Sequence, residues 1–266
     1  MTAWKQLIEE AFDAWEGGNA HDALQRCDRA ALMGPEARYA AAMLRGDILL
    51  GLGDAAGALS SFETVADVAV RDPDVDCARG RALFALGRLA EAENALRSAL
   101  REKDDLAEAH YTLGLIVEHR ATGEEVVCFR RARLLDPLRY GGVRHLADAA
   151  FAEMVENVTT ALVKRIQDAL GRGPTRPIPV VIAELPHPED IGSGENKVPP
   201  STLGIVVGHA NSGGISQPAV MLFKRNLERG VRSEEELEAL VEHTLVQQIA
   251  RLLGLGEADL RTCGLL

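Results

Sequence analysis

Small and apolar side chains return along the first half of the chain with a long period. Aligned on them, a first repeat contains Ala11, Gly18, Ala23, Ala30 and Pro35, and a second Gly46, Gly53, Ala58 and Phe62. A third contains Gly80, Gly87, Ala92, Leu96, Ala99 and Asp104. The step from Ala23 to Ala58 is 35 residues and that from Ala58 to Ala92 is 34. A fourth, weaker repeat has Leu113-Gly114, Phe129, Ala132 and Asp136-Pro137. There Phe129 follows Gly114 by 15 residues where Leu96 follows Gly80 by 16, as if the loop around Ala121-Thr122-Gly123 were one residue short. Such a period predicts helix pairs that bury their apolar faces against their neighbours and stack into a solenoid. A small residue on the first helix of each pair (Gly46, Gly80, Gly114) lets the second approach, and Ala23, Ala58 and Ala92 fill the reciprocal position. Gly18, Gly53 and Gly87 fall at the turns, where glycine ends a helix at low steric cost.

After Asp136-Pro137 the pattern changes. A long helix is expected over roughly Val143 to Leu170, ended by the breaker-rich run from Gly171 to Pro179. Three β-rich runs follow, Val180 to Leu185, Leu203 to His209 and Ala219 to Arg225, the first two separated by a polar stretch, Pro186 to Ser201, that reads as a mobile loop. Ser233 before Glu234-Glu235-Glu236 caps a last helix reaching about Leu253. Its apolar stripe is Leu237, Val241, Leu245, Ile249 and Leu252, with His243, Gln247 and Arg251 on the opposite side, where a solvated face would also place polar residues.

The repeat positions resemble the tetratricopeptide (TPR) family over roughly residues 4 to 137. That resemblance implies a concave binding face lined by the first helix of each pair. The usual groove positions project onto Ile8, Phe12 and Trp15, then Met43, Asp47 and Leu50, then Cys77, Arg81 and Phe84, then Tyr111, Leu115, Glu118 and His119. This lining is largely apolar, and the Lys, Asn and Arg set with which some relatives clamp a terminal carboxylate is absent. Several of these side chains also suit packing between helices.

The second half resembles the minimal zincin-like metallopeptidase family over roughly residues 146 to 262. The words that carry this are Phe151-Ala152-Glu153, Leu203-Gly204 and Gly208, the run Leu222 to Glu228, and Thr244-Leu245 through Gly254-Leu255. In that family the last helix carries H-E-x-x-H, two histidines one turn apart for zinc and a glutamate as general base. Here Gln247, Gln248 and Arg251 stand at those three positions. A glutamine amide is a poor zinc ligand and an amide at 248 cannot take a proton from water. A guanidinium about 4 Å from a dication would repel it by about 8 kcal/mol at an effective dielectric of about 20. The resemblance also implies a third ligand position at Glu257, and the simplest replacement for the metal is an Arg251–Glu257 pair.

Composition narrows the function. Of the 266 residues 29 are Lys or Arg and 40 Asp or Glu, and the net charge of −11 divides into −7 for residues 1–140 (17 basic, 24 acidic) and −4 for the rest (12 basic, 16 acidic). Neither half has the basic excess that nucleic acid or an anionic membrane surface requires. Four scattered cysteines, a start without a signal-peptide pattern and no run of 18 apolar residues lead to the expectation of a cytoplasmic protein with free thiols. The run around Gly192 to Gly194 lacks P-loop spacing.

The expected architecture is mostly α: a TPR-like solenoid of about four helix pairs over residues 1–140, then a small α+β zincin-like domain over 141–266. The expected function is a non-catalytic adaptor without catalytic residues, metal or cofactor. Its groove would take an amphipathic or basic segment of another protein, and the degenerate domain would offer a second docking surface. Two alternatives stay open. One is a hydrolase with an altered metal site built from His243, Glu257 and a loop histidine, His187 or His209; the other is a self-assembling structural subunit of unknown oligomeric state.

Overall fold

Glycine placement sets the solenoid. In the computed structural model, which describes residues 2–65, 72–120, 122–141, 145–171, 173–174, 177–192, 197–208, 218–229 and 231–266, helices come in antiparallel pairs joined by short turns. The pairs are α1 (Ala3–Glu16) with α2 (Ala20–Ala31), and α3 (Pro35–Gly51) with α4 (Ala55–Glu63). Then come α5 (Pro73–Ala85) with α6 (Leu89–Glu102), and α7 (Ala107–Glu118) with α8 (Glu124–Leu135). In the first three pairs the turn repeats atom for atom. Gly18, Gly53 and Gly87 have φ of 79°, 82° and 72°, and the next amide reaches back to close each helix: Asn19 N to Ala14 O at 2.8 Å, Asp54 N to Leu49 O at 2.8 Å, Arg88 N to Leu83 O at 2.9 Å. Asn19 and Asp54 then cap the following helix, accepting from Asp22 N at 3.2 Å and Gly57 N at 2.8 Å.

Between paired helices a glycine faces a large side chain. A Cβ on Gly80 would stand 2.6 Å from Leu96 Cγ, one on Gly114 2.7 Å from Phe129 Cε1, and one on Gly46 would enter the Phe62 ring. Ala23, Ala58 and Ala92, opposite, are fully buried. The expectation of a shortened fourth loop is corrected: five residues separate α7 from α8, where three separate the helices of each earlier pair. That turn enters α8 through Gly123 at φ 83° rather than through the repeated pattern, and Phe129 still reaches Gly114.

The residues divide into two units: Met1–Gly141 with Ile191–Pro200, and Gly142–Asp190 with Ser201–Leu266. The stretch expected to be a mobile loop is thus partly built into the first unit. Ile191 pairs with Val198 in an isolated bridge, and a Cβ on Gly87 would stand 2.6 Å from Gly192 Cα. Residues 193–196 of that stretch lie outside the described residues.

The second unit contains α9 (Asp148–Leu170), β1 (Val180–Ala183), β2 (Gly204–Val207), β3 (Ala219–Phe223), α10 (Lys224–Arg229), α11 (Glu234–Leu253) and α12 (Glu257–Thr262). The sheet order is β1-β3-β2, with β1 parallel to β3 (Val180 opposite Val220) and β2 antiparallel to it (Val206 opposite Val220). Phe151, Val155, Val158, Leu162 and Ile166, at helical spacing on α9, meet Leu237, Val241, Leu245 and Ile249 of α11 around Val220 and Leu222. Gly204 gives α11 room, since a Cβ there would stand 3.0 Å from Thr244 Cγ2. Ser233 caps α11 by accepting from Glu236 N at 3.1 Å. Element bounds are corrected. The third strand stops at Phe223, because Lys224 opens a helical turn; the long helix starts at Asp148, and Val143 lies outside the described residues. The last turn, α12, had no counterpart in the pattern of the sequence.

Candidate functional site

The groove positions divide by burial. Ile8 and Trp15 pack into the core of the first pair, with Trp15 under Gly51, while Phe12 is 47% exposed. Met43, Asp47, Leu50, Cys77, Arg81, Phe84, Tyr111 and Leu115 are brought together along α3, α5 and α7, where they line two adjoining clefts. One, of about 440 Å³, holds Met43, Asp47, Cys77 and Arg81; the other, of about 390 Å³, holds Leu50, Phe84, Tyr111 and Leu115. Glu118 and His119, half-buried at the end of α7, line neither.

The lining is less apolar than the sequence led us to expect, because a chain of charges crosses the boundary between the clefts. Arg81 sits between two acids, its Nη1 2.8 Å from Asp47 and its Nε 3.0 Å from Glu108. Glu108 in turn receives Arg139 Nη2 at 2.8 Å. Burial alone would lower the Arg81 pKa, but Glu108 and then Asp47 hold it above its usual value. Next to this chain the Tyr140 ring stacks on Tyr111, centroids 4.6 Å apart and planes at 28°, and Tyr111 leans on Phe129 at 5.6 Å. The Cys77 thiol is pushed up to about 12, chiefly by burial, so it is no nucleophile at neutral pH. Glu108, Arg139 and Tyr140 were missed from the sequence. A signal existed for the first: Glu108 follows Asp74, which also lines the 440 Å³ cleft, by 34 residues, one full period.

On α11, Gln247 is exposed and bonds His243, Nε2 to Nε2 at 2.8 Å. Gln248 is 5% exposed, and its buried Oε1 has no hydrogen-bond partner among the described residues. Arg251 is exposed. The expected Arg251–Glu257 pair is replaced by a local one: Glu257 Oε2 receives Arg261 Nη2 at 3.3 Å, one turn along α12, with both side chains largely in water. Two amides and a guanidinium are not a donor set for zinc, and among the described residues no group of three or more His, Cys, Asp or Glu stands where a metal ion would fit. His187 is exposed, and His209 lies outside the described residues.

Another polar cluster in this unit is structural. Glu228 of α10, fully buried, accepts from His145 Nδ1 and from Leu146 N, both at 2.8 Å, and so fixes the chain entering α9. Lys224, one turn earlier, pairs with Asp148 and stands 3.9 Å from Glu228. That ammonium holds the Asp148 carboxyl below its usual range. A larger cleft of about 730 Å³ lies between α9 and β1, lined by Val155, Val163, Ile178, Val180 and Ile182 with Glu156 and Lys164 at its rim. Its other polar lining is Thr159, Thr160 and Gln167.

Comparison with known proteins agrees with both halves of this description. The family model of the tetratricopeptide repeat matches residues 8–74 and 77–124, and that of the zincin-like metallopeptidase matches residues 175–265, beginning after α9. Among solved structures, the chain is similar to a thermophilic TPR protein of Thermus thermophilus, at 20% identity and a TM-score of 0.46, over 52% of this chain and 76% of that one. It is also similar to MamA, at 16% identity and a TM-score of 0.42, over 51% and 79%. A fragment of MamA from Desulfovibrio magneticus, residue 41 to the end, aligns at 18% identity and a TM-score of 0.42, over 62% and 85%. No curated protein matches the chain.

Proposed function

We propose that this chain, a tetratricopeptide-repeat solenoid followed by a zincin-like domain, is a non-catalytic adaptor that holds a segment of another protein in its groove. The observation that carries this reading is the pair of adjoining clefts along α3, α5 and α7, one rich in carboxylates and the other presenting Leu50, Phe84, Tyr111 and Leu115 beside the Arg81–Glu108–Arg139 charges. The first suits a cationic side chain and the second an aliphatic or aromatic one, so a basic amphipathic segment fits both. The zincin-like domain is a pseudo-metallopeptidase on this reading, since Gln247, Gln248 and Arg251 supply neither a ligand set nor a general base. It serves as a second docking surface. No helix among the described residues is long and apolar enough to cross a membrane, and the four free cysteines are buried, which fits a reducing, aqueous compartment such as the cytoplasm.

The test is capture from a lysate, read by mass spectrometry, with the wild-type chain beside Asp47→Lys/Phe84→Ala. Partners held by the groove are lost from the variant while its helical circular dichroism is kept. Undiminished capture by a folded variant would remove the groove from the reading. Metal analysis of untagged protein separates the adaptor from an altered hydrolase: zinc near one equivalent would overturn the adaptor.

A further inference from the structure

The two clefts share a feature that belongs to neither helix row. After α8 the chain turns at Asp136-Pro137, with Asp136 Oδ1 accepting from Arg139 N and Asp136 O from Tyr140 N, both at 3.0 Å. This turn carries Arg139 and Tyr140 back onto the α7 face, where both side chains line both clefts. The arginine takes Glu108 and the ring lies flat on Tyr111. We propose that Arg139-Tyr140 is an occupant in cis, standing where a partner's residues bind, and that the groove takes a linear peptide segment with an arginine next to a tyrosine or phenylalanine, which displaces this pair. The proposal rests on the adaptor reading and deepens it.

Three observations support it. The pair makes the two contacts a bound peptide would make, one charge-assisted hydrogen bond and one aromatic stack. The site also demands a cation. Without Arg139 the acidic cleft keeps Asp47, Asp74, Asp105, Glu108 and Asp136 against Arg81 and Lys103, five acids to two bases. Glu108 is shared between two arginines, and Arg81 is also held by Asp47, so only Arg139 is replaceable without unmaking the groove. Finally, the pair is built to leave. The Arg139 side chain is 58% exposed, so its ion pair is screened and weak, and the hold comes from the short tether, which keeps the pair at high effective concentration. A partner with the same two residues plus an apolar one for the cleft of Leu50, Phe84 and Leu115 outcompetes it.

The probe is a fluorescein-labelled peptide with the sequence of residues 136–141, titrated with the full chain and read by anisotropy. Arg139→Ala/Tyr140→Ala, which empties the site, is expected to bind it at least tenfold more tightly than the wild type. Adding Glu108→Lys to that variant should abolish the gain, and a peptide with alanines for its arginine and tyrosine should not bind. If the double variant loses its helical circular dichroism, Arg139→Gln replaces it, with a gain of at least threefold expected. Equal affinity of wild type and folded variant overturns the proposal, since a merely structural turn would leave nothing to vacate. Its failure is distinguishable from that of the adaptor reading: equal peptide affinity with partner capture still lost in Asp47→Lys/Phe84→Ala removes the occupant in cis alone.

Discussion

Within the solenoid, the close helix contacts join residues 15 or 16 apart, Gly46 with Phe62, Gly80 with Leu96 and Gly114 with Phe129. In the second unit the buried clamp on α9 joins residues 82 and 83 apart, Leu146 and His145 with Glu228. The first arrangement is a sum of local locks, each using the absence of a side chain. The second is one long-range polar knot whose failure frees a helix. A repeat can therefore tolerate a defect in one pair, as the altered α7–α8 turn illustrates, while the polar knot of the second unit is not repeated along the chain.

Substitutions that strike one unit break or sharpen this contrast. The largest effect is expected from Glu228→Ala. It strands Leu146 N and leaves Lys224 without its buried counter-charge, at a cost of about 3–5 kcal/mol. Chemical denaturation should show the loss in the transition of the second unit, with the helical signal of the solenoid unmoved; an equal loss in both would mean the chain melts as one body. Gly80→Ala comes next. Its Cβ would stand 2.6 Å from Leu96 Cγ, and such overpacking costs about 1–3 kcal/mol. That loss belongs to the solenoid, and the double-mutant cycle should show Gly80→Ala costing less in the Leu96→Ala background, where the obstructing branch is gone.

Smaller effects are expected on α11. Gln248 keeps a buried amide oxygen without a partner among the described residues, so Gln248→Met should stabilise the second unit by about 1 kcal/mol. No stabilisation would mean that the oxygen is solvated. The smallest effect is a pH dependence of the solenoid alone. Burial holds the His119 imidazole below its ordinary value of 6.5, so the unfolded chain binds the proton more readily. Its contribution is complete above pH 6.5 and declines as pH falls from there toward the lowered folded value. The urea midpoint should drop between about pH 7 and about pH 5.5 by less in His119→Gln than in the wild type.

What was legible in the sequence follows the same division. Contacts that recur every 34 residues leave a mark in the sequence, so Gly46, Gly80, Gly114 and the turn glycines identify the pairs and eight of the helices. The charges across the groove lie outside the usual groove positions: Glu108 sits a turn earlier on α7, and Arg139 and Tyr140 lie beyond the repeats altogether. Glu228 was read only as part of the run Leu222 to Glu228. Its partners at residues 145 and 146 share no period with it, and a single sequence holds no sign of a contact made once. The expected Arg251–Glu257 pair does not form because Arg261 stands one helical turn from Glu257 and wins by proximity.

The return of Ile191–Pro200 to the first unit has a consequence for how the chain is made and inherited. The polypeptide passes from one unit to the other three times, after residues 141, 190 and 200. During synthesis the eight helices leave the ribosome first, but the patch at Gly87 waits for about fifty more residues before Ile191 and Gly192 arrive to cover it. A gene break at the obvious boundary near residue 141 would strand that cover on the wrong product. The two halves, each recognisable by itself, are thus interleaved in sequence, and recombination that exchanged the first would have to carry residues 191–200 along.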